Sequence, residues 1–249
     1  GGLGIITYSS LFMFLWRKRV SLTDRLSVGR ALLHDPSFDL GRFLLIILAV
    51  TLALEGLGLA AIMLSAPDLS FFSSLFLAVS SFCNAGFALT PDNLVAYRAN
   101  VGINLAVAGL ITFGGIGFAV LEDILWLIRC KFLGIKYRLT LTSRVIINMS
   151  LLLTFGGTAI IFILETLAGH DYGGAGTNLL AAFFQSVTCR TAGFNTVSIS
   201  HMSTAALVFM IFLMFIGGSP GSCAGGIKTT TARVLGSFIK NRFRPGHQI

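Results

Sequence analysis

The sequence predicts an all-α, polytopic membrane protein made of tandem units, each a helix, a short re-entrant segment and a second helix. Three observations carry this prediction. First, the chain is 55% hydrophobic and only 11% charged, with a mean hydropathy of +0.85, a balance typical of integral membrane proteins. Second, its basic residues keep to alternate connections. Third, several short motifs return in the same order at spacings of 103 to 119 residues, the mark of an internal repeat.

Taken in order, residues 1–40 read as the second helix of a first unit plus a cytoplasmic linker, 41–137 as a second unit and 138–249 as a third. The runs Phe43 to Ala66, Val101 to Leu121 and Val145 to Leu164 carry one charge at most, Glu55 in the first. Each reaches the roughly 20 residues a helix needs to cross about 30 Å of hydrocarbon. The repeat shows as "GGLGI" (Gly1 to Ile5) against "GGIGF" (Gly114 to Phe118) and "GGSPG" (Gly217 to Gly221). It shows again as "RVSLTDR" (Arg19 to Arg25) against "RLTLTSR" (Arg138 to Arg144), and as "CNAGF" (Cys83 to Phe87) against "RTAGF" (Arg190 to Phe194). The chain opens on Gly-Gly with neither Met nor a signal-peptide pattern, and reads as a fragment of a longer membrane protein.

The net charge of +8 raises the question of nucleic acid, and its distribution argues against it. All 18 lysines and arginines except Arg98 and Arg190 fall before the first long run, between the second and third, or at the end of the chain. That is the positive-inside pattern of a multi-pass protein of the plasma membrane, with the basic loops cytoplasmic and lipid as the surrounding partner. Cys83, Cys130, Cys189 and Cys223 have neither metal-ligand spacing nor a disulfide framework, and read as packing residues. The histidines are scattered and no serine lies in a G-x-S-x-G elbow, so no catalytic constellation is present and no enzyme is expected.

Between the long runs of each unit lie "LSFFSSLFLAVSSF" (Leu69 to Phe82) and "TNLLAAFFQSVTC" (Thr177 to Cys189). Helices of this length reach only about 20 Å, so they must enter the membrane and return. Re-entrant backbone survives there only if protein buries it or a watery cavity solvates it, so "CNAGF" and "RTAGF" should line something polar. A short helix ending inside the membrane points its free carbonyls, the negative end of its dipole, at that space. Small residues after it, with Gly86 and Gly193 free to take unusual backbone angles, let carbonyl oxygens replace the hydration shell of an alkali cation. Asn84 and Thr191 occupy equivalent positions, two before each Gly, and suit steering those carbonyls or adding an oxygen.

The stretch "GGSPGSCAGGIKTTT" (Gly217 to Thr231) looks like a phosphate loop, but Ile227 stands between Gly226 and Lys228 and breaks the required G-x-x-x-x-G-K-[ST] spacing. The preceding "TAALVFMIFLMFI" is too short to span, and basic residues resume only at Lys228 and Arg233. Residues 217–226 are therefore expected inside the bilayer, interrupting the second helix of the third unit. Pro220 prevents regular helix there, and Ser219 and Ser222 help the loop to solvate itself.

Together, "FCNAGF", "CRTAGFNTV", "GGLGI", "GGIGF" and "GGSPGSCAGGIKTTT" resemble the membrane subunit of the Trk/Ktr/HKT superfamily of potassium transporters, the bacterial Ktr type above all. The resemblance covers essentially the whole chain. It implies a K+ channel-like fold in which four repeats surround one pore, each giving a filter segment with one key Gly. Carried onto this chain, Gly86 and Gly193 are the filter glycines of the second and third repeats, and the carbonyls of Asn84, Ala85, Thr191 and Ala192 are K+ ligands. Gly217, Gly218, Ser219, Pro220, Gly221, Ser222, Gly225 and Gly226 form the gate loop below the filter, with Lys228 at its end. The resemblance further implies K+ uptake, with Na+ as a coupling ion left open, no transition metal and no cofactor held by this chain. As partners it implies a homodimer and a cytoplasmic nucleotide-binding regulatory ring. The first filter and the fourth repeat are absent from this sequence, so two filter segments alone cannot enclose a cation within one chain.

Other residues read more plainly. Glu55, well inside its span, needs a partner or a water cavity, serving either stability or the ion path. Arg190 is expected to be a structural clamp on a loop carbonyl or an acid, and Glu122 and Asp123 to lie on a solvated helix face. The alternative to a pore is a secondary carrier with a broken helix around a midplane site.

Overall fold

The structure is a computed structural model that describes residues 40–242. Of the helix and linker expected over 1–40, residues 1–39, with "GGLGI" and "RVSLTDR", lie outside the described residues. The elements are α1 (Leu40–Ser65), α2 (Phe71–Phe82), α3 (Val101–Ile116), α4 (Phe118–Phe132), α5 (Leu141–Leu167), α6 (Ala175–Thr188), α7 (Thr204–Phe215) and α8 (Thr229–Arg242), with two short 3-10 turns between them. The described residues contain no named strand, so the fold is all-α as expected.

Two helices, α1 from Leu45 and α5, are long and apolar enough to cross a membrane unaided. Helices α2 and α6, of 12 and 14 residues, are too short, at about 18 and 21 Å, to do so. Local chemistry starts the helices where the sequence offers a cap. Ser70, Asn100, Thr140 and Ser203 each accept a hydrogen bond from the backbone N–H three residues on, satisfying a donor that the first turn leaves free. Helix α6 starts on Gly174 without such a cap. Asp171 substitutes, accepting from the N–H groups of Gly173 and Gly174 at 3.0 and 2.7 Å. Those bonds, at the positive end of the α6 dipole, hold its carboxyl below the usual range.

The two complete units repeat one arrangement: α1, α2 and α3 in the second, α5, α6 and α7 in the third. They share a core. Phe82, Ile103, Val107 and Ile111 of the second unit pack with Phe184, Val187, Ala192 and Phe194 of the third. Residues such as Leu64, Leu152 and Phe155 on the long helices, and Phe212 on α7, stay exposed, as a lipid-facing surface requires.

The run Val101 to Leu121, expected as one span, is two helices. Helices α3 and α4 meet at Gly117 with a bend of 104°. Gly117 takes φ +92°, and a side chain there would meet the Pro220 carbonyl oxygen at 2.6 Å. One turn earlier, a Cβ on Gly114 would lie 1.9 Å from the Phe82 carbonyl oxygen, so α3 rests directly on the end of α2.

Beyond the break, Asp123 is buried rather than solvated, contrary to expectation. It accepts from Tyr137 Oη at 2.5 Å and from Thr140 N and Oγ1 at 2.9 and 3.0 Å, tying α4 to the cap of α5. At the other end of α5, buried Glu165 accepts from Tyr172 Oη, Ser203 N and Ser203 Oγ at 2.5, 3.0 and 2.7 Å, with the His170 ring 2.9 Å away. Each end of this long helix is pinned through one carboxylate.

Candidate ion-binding site

The segments that follow α2 and α6 come together. A Cβ built on Gly86 would meet the Ala192 carbonyl oxygen at 2.6 Å and Gly193 Cα at 2.9 Å, so the two turns touch backbone to backbone. Both segments use the same unusual conformation. Asn84 and Gly86 have φ 52° and 76°, and Thr191 and Gly193 have 66° and 84°. Asn visits this left-handed region readily, but for a β-branched Thr it is an outlier that the surroundings must hold in place.

Each short helix also braces its own segment with a hydroxyl. Ser80 Oγ donates to the Phe87 carbonyl and Thr188 Oγ1 to the Phe194 carbonyl, both at 2.7 Å. A third brace joins the two segments. Asn93 donates through Nδ2 to the Gly86 carbonyl at 3.1 Å and accepts from Asn195 N at 3.3 Å, while Leu94 N donates to the Asn195 carbonyl at 3.1 Å. The carbonyls of Gly86, Phe87 and Phe194 are thus occupied. Those of Asn84, Ala85, Thr191 and Ala192 receive no hydrogen bond among the described residues.

The loop 217–226 runs between α7 and α8. Its neck closes through Gly217 N to the Ile227 carbonyl and Gly218 N to the Gly225 carbonyl, both at 3.1 Å. Its flank docks on the α3–α4 break: Ser219 N donates to the Gly115 carbonyl, Cys223 N to the Gly114 carbonyl, and Phe118 N to the Gly221 carbonyl, at 3.0, 3.1 and 3.1 Å. Gly225 N donates to Thr191 Oγ1 at 3.0 Å, bringing the loop to the segment after α6. Ser222 Oγ caps the Ser219 carbonyl at 2.7 Å, and Lys228 Nζ donates to the Ala224 carbonyl at 2.9 Å, so Lys228 folds onto the loop. Pro220 is exposed, whereas Gly217, Gly218 and Ser219 are buried.

Two expectations fare differently. Arg190 is buried, yet its Nε and Nη2 find no partner among the described residues, so the carbonyl or acid expected to clamp it is not among them. Glu55 is half-buried on α1 and makes no hydrogen bond or ion pair among the described residues. The bracing residues Ser80, Thr188, Asn93 and Asn195 were not singled out by sequence. Asn195 had the best signal, lying directly after the repeated x-x-A-G-F.

Comparison with known proteins agrees with this architecture. A family model described as TrkH, a cation transport protein, matches residues 40–248. The chain is 37% identical over 241 residues to the potassium/sodium uptake protein NtpJ of Enterococcus hirae, an alignment covering 94% of this chain and 52% of that protein. It is 36% identical over 250 residues to the Ktr system potassium uptake protein B of Bacillus subtilis, covering 94% and 53%. The chain thus spans about half the length of the curated relatives it matches. Among solved structures, the potassium transporter TrkH from Vibrio parahaemolyticus shares the fold, with a TM-score of 0.66 and 20% identity over 90% of this chain and 48% of that one. A family model across nearly all the described helices, and relatives at this identity, agree with the motifs: the chain belongs to the TrkH family of cation transport proteins.

Proposed function

We propose that this chain contributes two filter segments and the gate of a channel-like pore through which the full-length protein takes up K+. The observation that carries the proposal is the set of carbonyls at Asn84, Ala85, Thr191 and Ala192 that accept no hydrogen bond among the described residues, each just beyond the end of a short helix. Carbonyl oxygens held in this way exchange for water around a weakly hydrated cation, and the helix dipoles add negative potential at the same place. Gly86 and Gly193 supply the left-handed turns that present them.

In this reading K+ enters from the side opposite the basic loops, sheds water at the filter, and moves down its electrochemical gradient. The loop 217–226 obstructs the path beyond the filter, and its displacement opens it. The other filter segments come from the rest of the full-length protein, which works as a homodimer under a cytoplasmic nucleotide-binding ring in the plasma membrane.

K+ flux through the full-length protein in proteoliposomes, read together with single-channel currents, tests the proposal. The pore predicts passive K+ currents that follow the K+ gradient. Strict coupling of each K+ to a fixed number of other ions, without channel currents, would favour a carrier and overturn it.

A further inference from the structure

Thr191 stands in an improbable conformation beside the loop. It is β-branched, has φ 66°, and replaces the Asn that the second unit uses at the same repeat position. Asn84 needs no special reason to be left-handed, and its side-chain atoms are buried without a hydrogen-bond partner among the described residues. Thr191 differs in having one: Gly225 N donates to its Oγ1 at 3.0 Å. The other contacts between the loop and the α3–α4 break run backbone to backbone. Apart from Lys228 and Thr229, which follow the loop in sequence, the Thr191 hydroxyl is the one side chain from outside the loop that bonds to it, among the described residues.

Packing does not force this contact. Gly225 is exposed, and a Cβ on it would have nothing within 4 Å. The hydrogen bond itself is the link, and it joins the most strained residue of the filter to the loop that obstructs the pore. We propose that Thr191 is a positioning residue that couples filter to gate: its hydroxyl holds the loop closed, and the loop in turn holds Thr191 in the left-handed geometry that aims its carbonyl. Displacing the loop would free Thr191 to relax, so gate opening and filter geometry would change together. This inference rests on the filter-and-gate reading above.

The test uses the full-length protein in proteoliposomes, with K+ flux as readout. Thr191→Val keeps the branched shape and removes the acceptor, and Thr191→Ser keeps the acceptor. Each is made with the intact loop and with residues 219–224 deleted. With the intact loop, Thr191→Val should raise K+ flux roughly tenfold, the scale of one lost hydrogen bond, and Thr191→Ser should raise it far less. In the deleted background Thr191→Val should add nothing. Should Thr191→Val fold poorly, Gly225→Pro removes the donor instead, and its flux should exceed that of Gly225→Ala, which keeps the N–H, by the same factor. Equal effects of Thr191→Val in both backgrounds, a Ser variant that behaves like Val, or unchanged flux in every variant lacking the bond would overturn the coupling. The K+ over Na+ preference of Gly193→Ser reads the filter assignment separately, so failure of the coupling and failure of the filter are distinguishable.

Discussion

Both complete units break their second helix at the same point of the repeat, and they break it differently. The second unit turns through 104° on the single residue Gly117. The third unit leaves α7 after Phe215 and resumes helix only at Thr229. The two breaks grip each other, since the backbone bonds of Ser219, Gly221 and Cys223 go to Gly115, Phe118 and Gly114. On the reading proposed above, the difference separates a platform from a moving part. The short break has no slack and is wedged under α2, while the long break, on the same reading, carries the spare residues that move.

If the short break is the platform, damage there should cost most. Gly114→Val pushes a side chain into the Phe82 carbonyl, which sits on a helix end that cannot swing away. The expected loss is about 3 kcal/mol of stability, read as a lower melting temperature or lost monodispersity of the purified full-length protein. Gly225→Ala, the counterpart in the long break, should leave stability unchanged within about 0.5 kcal/mol because its site is open.

Gly117→Ala sharpens the comparison next. It adds a Cβ at φ +92° against the Pro220 carbonyl, so it should loosen the loop as well as strain the hinge. Strain of about 1–2 kcal/mol shared between the two breaks predicts a several-fold rise in K+ leak at modest loss of stability. Stability loss without leak would mean that the platform does not hold the gate.

Asn93→Ala removes the brace between the two proposed filter segments without touching either break. About 1 kcal/mol of hydrogen bonding is lost, and K+ over Na+ preference should fall several-fold while loop-dependent flux control stays intact. Tyr137→Phe should do least: it removes one of three hydrogen bonds to Asp123 where α4 meets α5, costing about 1 kcal/mol of stability with little change in transport. Its pH dependence has a definite sign. Tyr137 is pushed up to about 12 by its bond to Asp123 and by burial, so the contact is fully present below the ordinary tyrosine range and is lost only as pH rises through about 12.

The fold was legible where it depended on length and repetition. Short apolar segments that cannot span, and the motifs around Gly86, Gly193 and Gly217, sufficed to place two re-entrant helices and an interrupted third. The bend at Gly117 was hidden, because Val101 to Leu121 is uniformly apolar and becomes two helices only when Gly221, about a hundred residues on, accepts the freed Phe118 N–H. Asp123 was misread for a similar reason. A carboxylate near a helix end is ordinarily solvated, and only the folded turn through Tyr137 and Thr140 surrounds it with donors. The Asn93 brace reaches across 102 residues to Asn195, and nothing local in either sequence announces it.

The K+ over Na+ permeability ratio of the full-length protein carrying Gly193→Ser tests the central claim most directly. Among the described residues, a side chain at Gly193 meets only Gly86 Cα at 3.3 Å, so the variant is expected to fold, but it strains the left-handed turn at φ 84° that presents the Thr191 and Ala192 carbonyls. A filter predicts a ratio at least roughly tenfold lower, equivalent to about 1.4 kcal/mol of lost preference. An unchanged ratio in a well-folded variant would contradict it.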